Sequence, residues 1–565
     1  MAQRMYNAVC VVFADSPKGL PMQDWRGLGR VVRIACAALA VQAATAQEMP
    51  RLVQEQGRVA LMVDGKPFWM LGAQVDNSSG WPERLQAVLP TAEKMRLNTL
   101  EVPVYWEQME PERGQFDFTV VDAIVQQARD HKMRLVLLWF GTWKNGKMHY
   151  APEWVKSDTA TYPRMMTKDG RPIDVLSPSA PANLAADRDA FVALMRHLRE
   201  MDSQHTVVMM QVENESGSLG TVRDFGVAAQ KEFEGQVPTE LLRGLKKSGS
   251  GTWSQIFGDD ADETFAAWSV ARYIGQIAAA GKKELALPMY VNNWLKSPRA
   301  FPVSTVPGED YPSGGPTINM IGVWKIAAPS LDLLAPDIYV PSSERYRMVM
   351  QEFHRPDNPL MIPESLGFGS FPGASGGSAR YLYYALGEGA IGFANFGLDR
   401  FHVDGVMDAE TASQVEGFRL LGSFDRELAA LAFAGKVKTA VEEPGISQKE
   451  LEFAGWRAVV SFPPSYDPPA PPVSTTSDTR GLKAGRVVVA SLGPDEFLVA
   501  GIDCRVQFAL PVHAGGKQMQ LLRVEEGRYD GTTWVPSRLW NGDETDYGLN
   551  FGGRGSLLRV KLGSY

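Results

Sequence analysis

Between Arg58 and Phe424, short apolar runs alternate with amphipathic helical stretches eight times, which leaves the chain few architectures to fold into. The runs are Phe68–Val75, Thr99–Trp106, Arg134–Phe140, Val207–Glu215, Pro288–Leu295, Leu333–Val340, Pro359–Gly367 and Ala390–Gly397. Helical spacing of apolar residues is plain over Glu83–Leu97, Thr119–His131, Ala186–Met201 and Ala266–Glu284. Continuously apolar strands belong to parallel sheets whose faces are both covered. An open sheet binding a dinucleotide would need a glycine-rich turn after the first strand, but the chain reads DNSSGW after Val75. The pattern therefore predicts an α/β protein built on a closed (β/α)8 barrel of the TIM type.

A chain of 565 residues exceeds what one core serves. From about Ala429 the pattern changes to short alternating segments, such as Arg457–Phe462, Arg486–Ser491, Glu496–Ile502, Met519–Val524 and Leu557–Leu562, separated by Gly, Pro and Asp turns. That is the signature of an all-β, sandwich-like C-terminal domain, with Pro463–Pro472 an insertion inside it. Arg26, Arg30 and Arg33 precede a short apolar run, Ile34–Ala44, closed by Ala44-Thr45-Ala46, the pattern of a secretory signal cleaved after Ala46. Met22 is the expected true start, which would give that signal an ordinary length. The expected division is a leader over 1–46, a barrel over 47–424 and an accessory domain over 425–565, with export to the periplasm or beyond. Cleavage would leave Cys504 as the sole cysteine, so no internal disulfide and no cysteine metal site are expected.

The net charge of −8 argues against nucleic acid as a partner, and no later run reaches the ~18 apolar residues of a membrane helix. Barrels of this type carry their chemistry at the C-terminal ends of the strands. Those ends read Gln74 and Asp76; Tyr105, Trp106 and Glu107; Trp139, Trp143 and Asn145; Asn214 and Glu215; Asn292, Asn293 and Trp294; Tyr339; Glu364; and Asn395. This rim of amides, aromatics and acids suits a sugar, whose ring has apolar C–H faces and hydroxyl edges. The seven histidines fall elsewhere, so neither a metal nor a cofactor is expected.

Val207–Gly217, VVMMQVENESG, runs from a buried strand straight into acids, although an unpaired buried carboxylate costs about several kcal/mol. Spaced two apart on extended chain, Glu213 and Glu215 are expected on one side and Asn214 on the other. Leu360–Gly367, LMIPESLG, repeats the design with Glu364. Two carboxyls across a barrel mouth are the minimum for cleaving a glycosidic bond. The formal G-x-S-x-G match at Gly373–Gly377 lies in a glycine-rich loop rather than on a strand-to-helix elbow and reads as coincidence.

With Q-V-E-N-E on the fourth strand, Y-W-E closing the second and a lone Glu closing the seventh, residues 58–424 resemble glycoside hydrolase family 35, the retaining β-galactosidases. The resemblance implies Glu215 as acid/base and Glu364 as nucleophile. It further implies Asn214 on the sugar 2-hydroxyl, Tyr339 beside the nucleophile and Tyr105 on the galactose. The family's A-E-W motif after the third strand is replaced by Trp139-Phe140-Gly141-Thr142-Trp143-Lys144-Asn145, so contacts there must come from Trp143, Lys144 or Asn145. From their strand-end positions, Trp143, Asn145, Asn293 and Trp294 join the expected sugar contacts, and Glu213 is expected to be structural. The expected function is a retaining exo-β-galactosidase on oligo- or polysaccharides. The alternatives are a β-glucosidase, a β-mannosidase or a galactosidase of xyloglucan side chains, or a non-catalytic carbohydrate-binding protein. Oligomeric state is left open, with a homodimer one option.

Overall fold

The computed structural model describes residues 47–296, 305–365, 378–400, 405, 407, 409–462, 485–511 and 516–565. The leader with its cleavage site, the Gly373–Gly377 motif and the Pro463–Pro472 insertion lie outside them. Among the described residues no helix is long and apolar enough to cross a membrane.

Eight parallel strands form the barrel: β1 (Met70–Gln74), β2 (Thr99–Tyr105), β3 (Arg134–Lys144), β4 (Val207–Asn214), β5 (Met289–Asn293), β6 (Leu333–Ile338), β7 (Glu364–Ser365) and β8 (Gly392–Phe396). Each pairs with its neighbour in the chain, and β8 pairs back onto β1. The ring closes between β7 and β8 through a bridge of Ile362 with Phe393, where Ala394 N donates to Ile362 O at 2.8 Å. Apolar residues on both faces produce this result. Leu100, Val102, Leu135, Leu137 and Met210 join the shell of helices, while Val136, Leu138, Val208, Tyr290 and Leu333 fill the barrel interior. A three-stranded sheet before the barrel (Arg51–Glu55, Arg58–Val63, Lys66–Phe68), which sequence reasoning missed, inserts Leu61 and Val63 among Met70, Val136, Val208, Leu333 and Ile391. It packs against the interior at the end where the strands begin.

After the barrel, helices Ala409–Leu421 and Asp425–Phe433 lead into two antiparallel sheets of six and four strands. Side chains alternate along the strand Arg486–Gly493. Val487 and Val489 enter the core shared by the two sheets, whereas Val488 and Ala490 enter the core that covers the barrel. This places a β-sandwich against the barrel's helices, as the alternating segments predicted. Arg486, fully buried at the seam, donates to Ser413 Oγ at 3.0 Å and stacks on the Tyr383 ring at 5.4 Å.

Candidate active site

The open end of the barrel holds a cavity of about 380 Å³. Its floor is acidic, with Glu215, Asp337 and Glu364. Asn77, Lys144 and Asn145 form one wall, and Trp294, Leu295, Tyr339, Phe396 and Arg400 the other.

Glu215 follows β4 in left-handed backbone, φ 44°, and Glu213 within the strand also has positive φ, 65°. Such conformations cost about 1–3 kcal/mol for residues other than glycine and concentrate at functional sites. They overturn the expectation that Glu213 and Glu215 share a side, because the chain between them is not extended. Glu213 turns away from the cavity and takes hydrogen bonds from Thr142 N at 3.2 Å and Trp143 N at 2.7 Å. There it meets Asp187, itself held by the Trp139 indole at 2.9 Å and the Thr142 hydroxyl at 2.6 Å. Burial first, and then the opposing carboxylate, pushes Glu213 well above the usual carboxylate range. Gly141 makes this possible, since a Cβ there would lie 2.7 Å from oxygens of both Asp187 and Glu213. Glu213 therefore lies outside the cavity lining, tied to the backbone of the bulge in the third strand.

β3 runs four residues past the expected end at Phe140, bulging between Trp139 and Lys144 before Lys144 pairs with Asn214. Asn145-Gly146 then reverses the chain with both residues at positive φ, 54° and 66°, a tight turn that Asn-Gly favours. The turn locks onto the acid: Gly146 N donates to Glu215 O at 3.0 Å, and Lys144 Nζ to Asn214 Oδ1 at 2.7 Å.

Glu364 is an acceptor for four donors. Gln74 Nε2 (3.0 Å), Asn292 Nδ2 (3.3 Å) and Asn214 Nδ2 (3.4 Å) converge on Oε1, and the Tyr339 hydroxyl reaches Oε2 at 2.9 Å. A carboxyl surrounded by donors alone is held as the acceptor-only carboxylate. Glu215 is set differently. Burial, and then the negative charge of Glu364, push it up to about 7, against the opposing pull of Lys144, the Trp294 indole and Asp337. One oxygen of each of Glu215, Asp337 and Glu364 lies within 4.8 Å of the other two.

Those three oxygens would also be the ligands of any cation held here. The amide and phenol hydrogens aimed at Glu364 occupy both of its oxygens, so a cation would have to displace one of them, whereas Asp337 Oδ1 has no hydrogen-bond partner among the described residues.

Of the residues expected on the sugar, Asn145, Trp294 and Tyr339 line the cavity. Asn214 lies beneath it, bridging Lys144 to Glu364. Tyr105, Trp143 and Asn293 are outside its lining. Trp143 is fully buried and packs edge-on against Tyr273 at 5.0 Å, because the bulge in β3 turns it outward into the helical shell. Tyr105 stacks on Tyr150 at 4.9 Å and holds Gly80 N through its hydroxyl at 2.8 Å, and Asn293 donates to the carbonyl of Trp294 at 2.7 Å. Sequence reasoning gave no role to Asp337, Phe396, Arg400 or Asn77, and none to Gln74 and Asn292 beyond a place on the rim. Asp337 carried a usable signal: an acid inside the apolar run LLAPDIYV breaks the same rule that singled out Glu215.

Residues 76–273 match the family model described as Beta-galactosidase, that of glycoside hydrolase family 42, and residues 415–552 match a domain of unknown function, DUF5597. The match is to family 42 and not to family 35, which corrects the family that the strand-end motifs resembled. It takes in Asn214 and Glu215, while Asp337 and Glu364 lie beyond it. A curated β-galactosidase of Xanthomonas manihotis is 30% identical over 200 residues, 34% of this chain and 30% of the relative. Among solved structures, a β-galactosidase from Rahnella sp. R3 aligns with TM-score 0.45 and 17% identity, over 67% of this chain and 58% of that one. The catalytic domain of a β-amylase from Paenibacillus polymyxa aligns with TM-score 0.46 and 13% identity, over 62% of this chain and 96% of that one. The chain thus spans less than a third of the curated relative and under two thirds of the Rahnella enzyme.

Proposed function

We propose that this chain is a retaining glycoside hydrolase that releases terminal β-galactosyl residues from oligo- or polysaccharides. The observation that carries the reading is the approach of Glu215 and Glu364, with oxygens within 4.8 Å across a cavity open on one side. Retaining enzymes hold the two carboxyls about 5–5.5 Å apart, whereas inverting enzymes separate them by about 6.5–9.5 Å to admit a water. In this reading Glu364 attacks the anomeric carbon while Glu215 protonates the departing oxygen. Once Glu364 is an ester its charge is gone, and with it one of the two causes that raise Glu215. Glu215 then gives up protons more readily and serves as base for the water that frees the sugar. Asn214 and Tyr339 keep the nucleophile aimed through their hydrogen bonds to it. Trp294 and Phe396 supply aromatic faces, and Lys144, Asn145 and Arg400 supply donors for hydroxyls.

Galactose as the sugar rests on the family model and on the Xanthomonas relative. Export rests on the leader-like stretch Arg26–Ala46. Hydrolysis of a panel of nitrophenyl β-glycosides, followed by NMR of the nascent anomer, tests the reading. β-Galactose appearing first from the β-galactoside is the expected result. An α-anomer as the first product would refute the double displacement, and a preference for the glucoside or mannoside would move the sugar to another exo-glycosidase.

A further inference from the structure

The two-glutamate reading leaves a third carboxyl unexplained. Asp337 lies on β6 directly opposite Glu364 in the strand register and is buried with it on the cavity floor. Asn292 on β5 fixes all three acids at once. Its Oδ1 accepts from Glu215 N at 2.9 Å, and its Nδ2 donates to Asp337 Oδ2 at 2.8 Å and to Glu364 Oε1 at 3.3 Å. With Asp337 Oδ2 occupied by that amide, Oδ1 is left buried without a hydrogen-bond partner among the described residues, and an oxygen of Asp337 lies within 4.8 Å of one of Glu215.

The charges facing Asp337 can be followed element by element. β3 brings Lys144, β4 brings Glu215 and β7 brings Glu364, while Tyr290 on β5 and Tyr339 beyond β6 are neutral phenols. One ammonium therefore faces three buried carboxyls. A fourth, Glu101 on β2, is bonded to the Tyr290 hydroxyl and is itself raised by burial and then by Glu364. Like charges at this range cannot all ionise. Glu364, ringed by four donors, takes the negative charge. Two carboxyls buried this close, one with an oxygen that no donor reaches, call for a proton on one of them at every stage.

We propose that Asp337 is the partner acid of Glu215: it stays protonated through the cycle and donates its O–H to the carboxylate that Glu215 becomes. This inference rests on the reading of Glu215 as acid/base. In the first step Glu215 gives its proton to the leaving oxygen as the C–O bond breaks and the Glu364 ester forms. Asp337 keeps its own proton and, with the Trp294 indole, stabilises the new Glu215 carboxylate. In the second step Glu215 takes a proton from water as the ester is cleaved, and the starting arrangement returns. Burial together with Glu364 and Glu215 holds Asp337 well above the usual carboxylate range, which agrees with a neutral Asp337. Asp337 is thus a positioning residue that acts through Glu215.

Two variants, Asp337→Asn, which keeps a neutral donor, and Asp337→Leu, which has none, test this against leaving groups of different need. Losing a hydrogen bond to a charged group should lower kcat/KM of Asp337→Leu on phenyl galactoside roughly ten- to a hundredfold. Dinitrophenyl galactoside, whose leaving group needs no proton, should suffer far less. The alkaline limb of the pH profile should move upward in Asp337→Leu, because the bond that lowers Glu215 is gone, and move less in Asp337→Asn. Equal losses on both substrates, a limb that moves downward, or Asp337→Asn as impaired as Asp337→Leu would each overturn the proposal. If Asp337→Leu does not fold, the limb and the leaving-group ratio of Asp337→Asn decide it alone. A Glu215→Ala variant that loses far more on phenyl than on dinitrophenyl galactoside shows the underlying reading intact, so a leaving-group-independent loss at Asp337 would then count against the inference only.

Discussion

Tyr339 and Glu364 stand at the ends of adjacent strands, and the phenol hydroxyl of the first donates to Oε2 of the second at 2.9 Å. The three amides converge on Oε1, so among the described residues Tyr339 alone orients the other oxygen. Burial, and then the negative charge of Glu364 beside it, raises the phenol's pKa, so it remains a donor throughout the working range. Tyr339→Phe should keep the fold and lose roughly ten- to a hundredfold in kcat, the range for a hydrogen bond to a charged group. Unchanged kcat on aryl galactosides, with the melting temperature also unchanged, would show that the hydroxyl does not orient the nucleophile.

The pH dependence follows from Glu215. Its proton is needed in the first step, so kcat/KM should fall as pH rises through about 7. Glu215→Ala should remove that limb and cost about 10²–10⁴ on phenyl galactoside, with a smaller loss on dinitrophenyl galactoside. Added azide should restore turnover on the activated substrate by replacing the base, giving a β-galactosyl azide. The complementary variant, Glu364→Ala, should yield the α-azide, and identical azide anomers from the two variants would dismiss the assignment of roles.

The barrel was legible because each strand is a near-continuous apolar run buried on both faces, a pattern strong enough to mark all eight. The two catalytic candidates were legible for a related reason, since acids at the ends of such runs have no cheap structural explanation. Asp337 followed the same rule and was passed over, masked by Tyr339 two residues on. Trp143 failed for another reason. Sequence gave the third strand an end at Phe140, but the Glu213–Asp187 pair draws Gly141–Trp143 into a bulge, and that bulge points the indole outward. Long-range pairs of buried acids leave no trace in local periodicity. Neither does the left-handed backbone at Glu213 and Glu215, which neither residue type advertises.

The Glu213–Asp187 pair should be a determinant of stability. Glu213→Ala would leave the buried Thr142 and Trp143 amides without their acceptor, while Asp187 keeps its Trp139 and Thr142 donors, a change expected to cost about 1–3 kcal/mol for each orphaned amide. Denaturant unfolding of the purified variant measures it. Both acids are raised above their unfolded values, so the native state binds more protons than the unfolded one. Their contribution is full below the ordinary carboxylate range and is lost as pH rises towards the raised values. Glu213→Ala should therefore lose more stability at mildly acid pH than at alkaline pH. A difference that grows with pH would contradict the raised state of the two acids.

The last prediction concerns the seam between barrel and sandwich. Val488, Ala490, Leu498, Ala500, Ile502 and Leu557 belong to the barrel-side core, so the sandwich covers apolar surface that the barrel cannot leave in water. Arg486, with its guanidinium bonded to Ser413 and stacked on Tyr383, ties the first helix after the barrel to the sheet from inside this core. Removing the chain after Phe433 should give an aggregating product, while Arg486→Ala should lower stability by about 3–5 kcal/mol, because the groups it satisfies are left buried and unpaired. Arg486→Met, which fills the space without a charge to desolvate, should recover much of that loss, as replacing a buried charge with an apolar side chain of similar volume often does. Thermal melts of the two variants, read with kcat on an aryl galactoside, separate stability from chemistry. A barrel fragment that folds and turns over substrate without the sandwich would refute the claim that the two share one core.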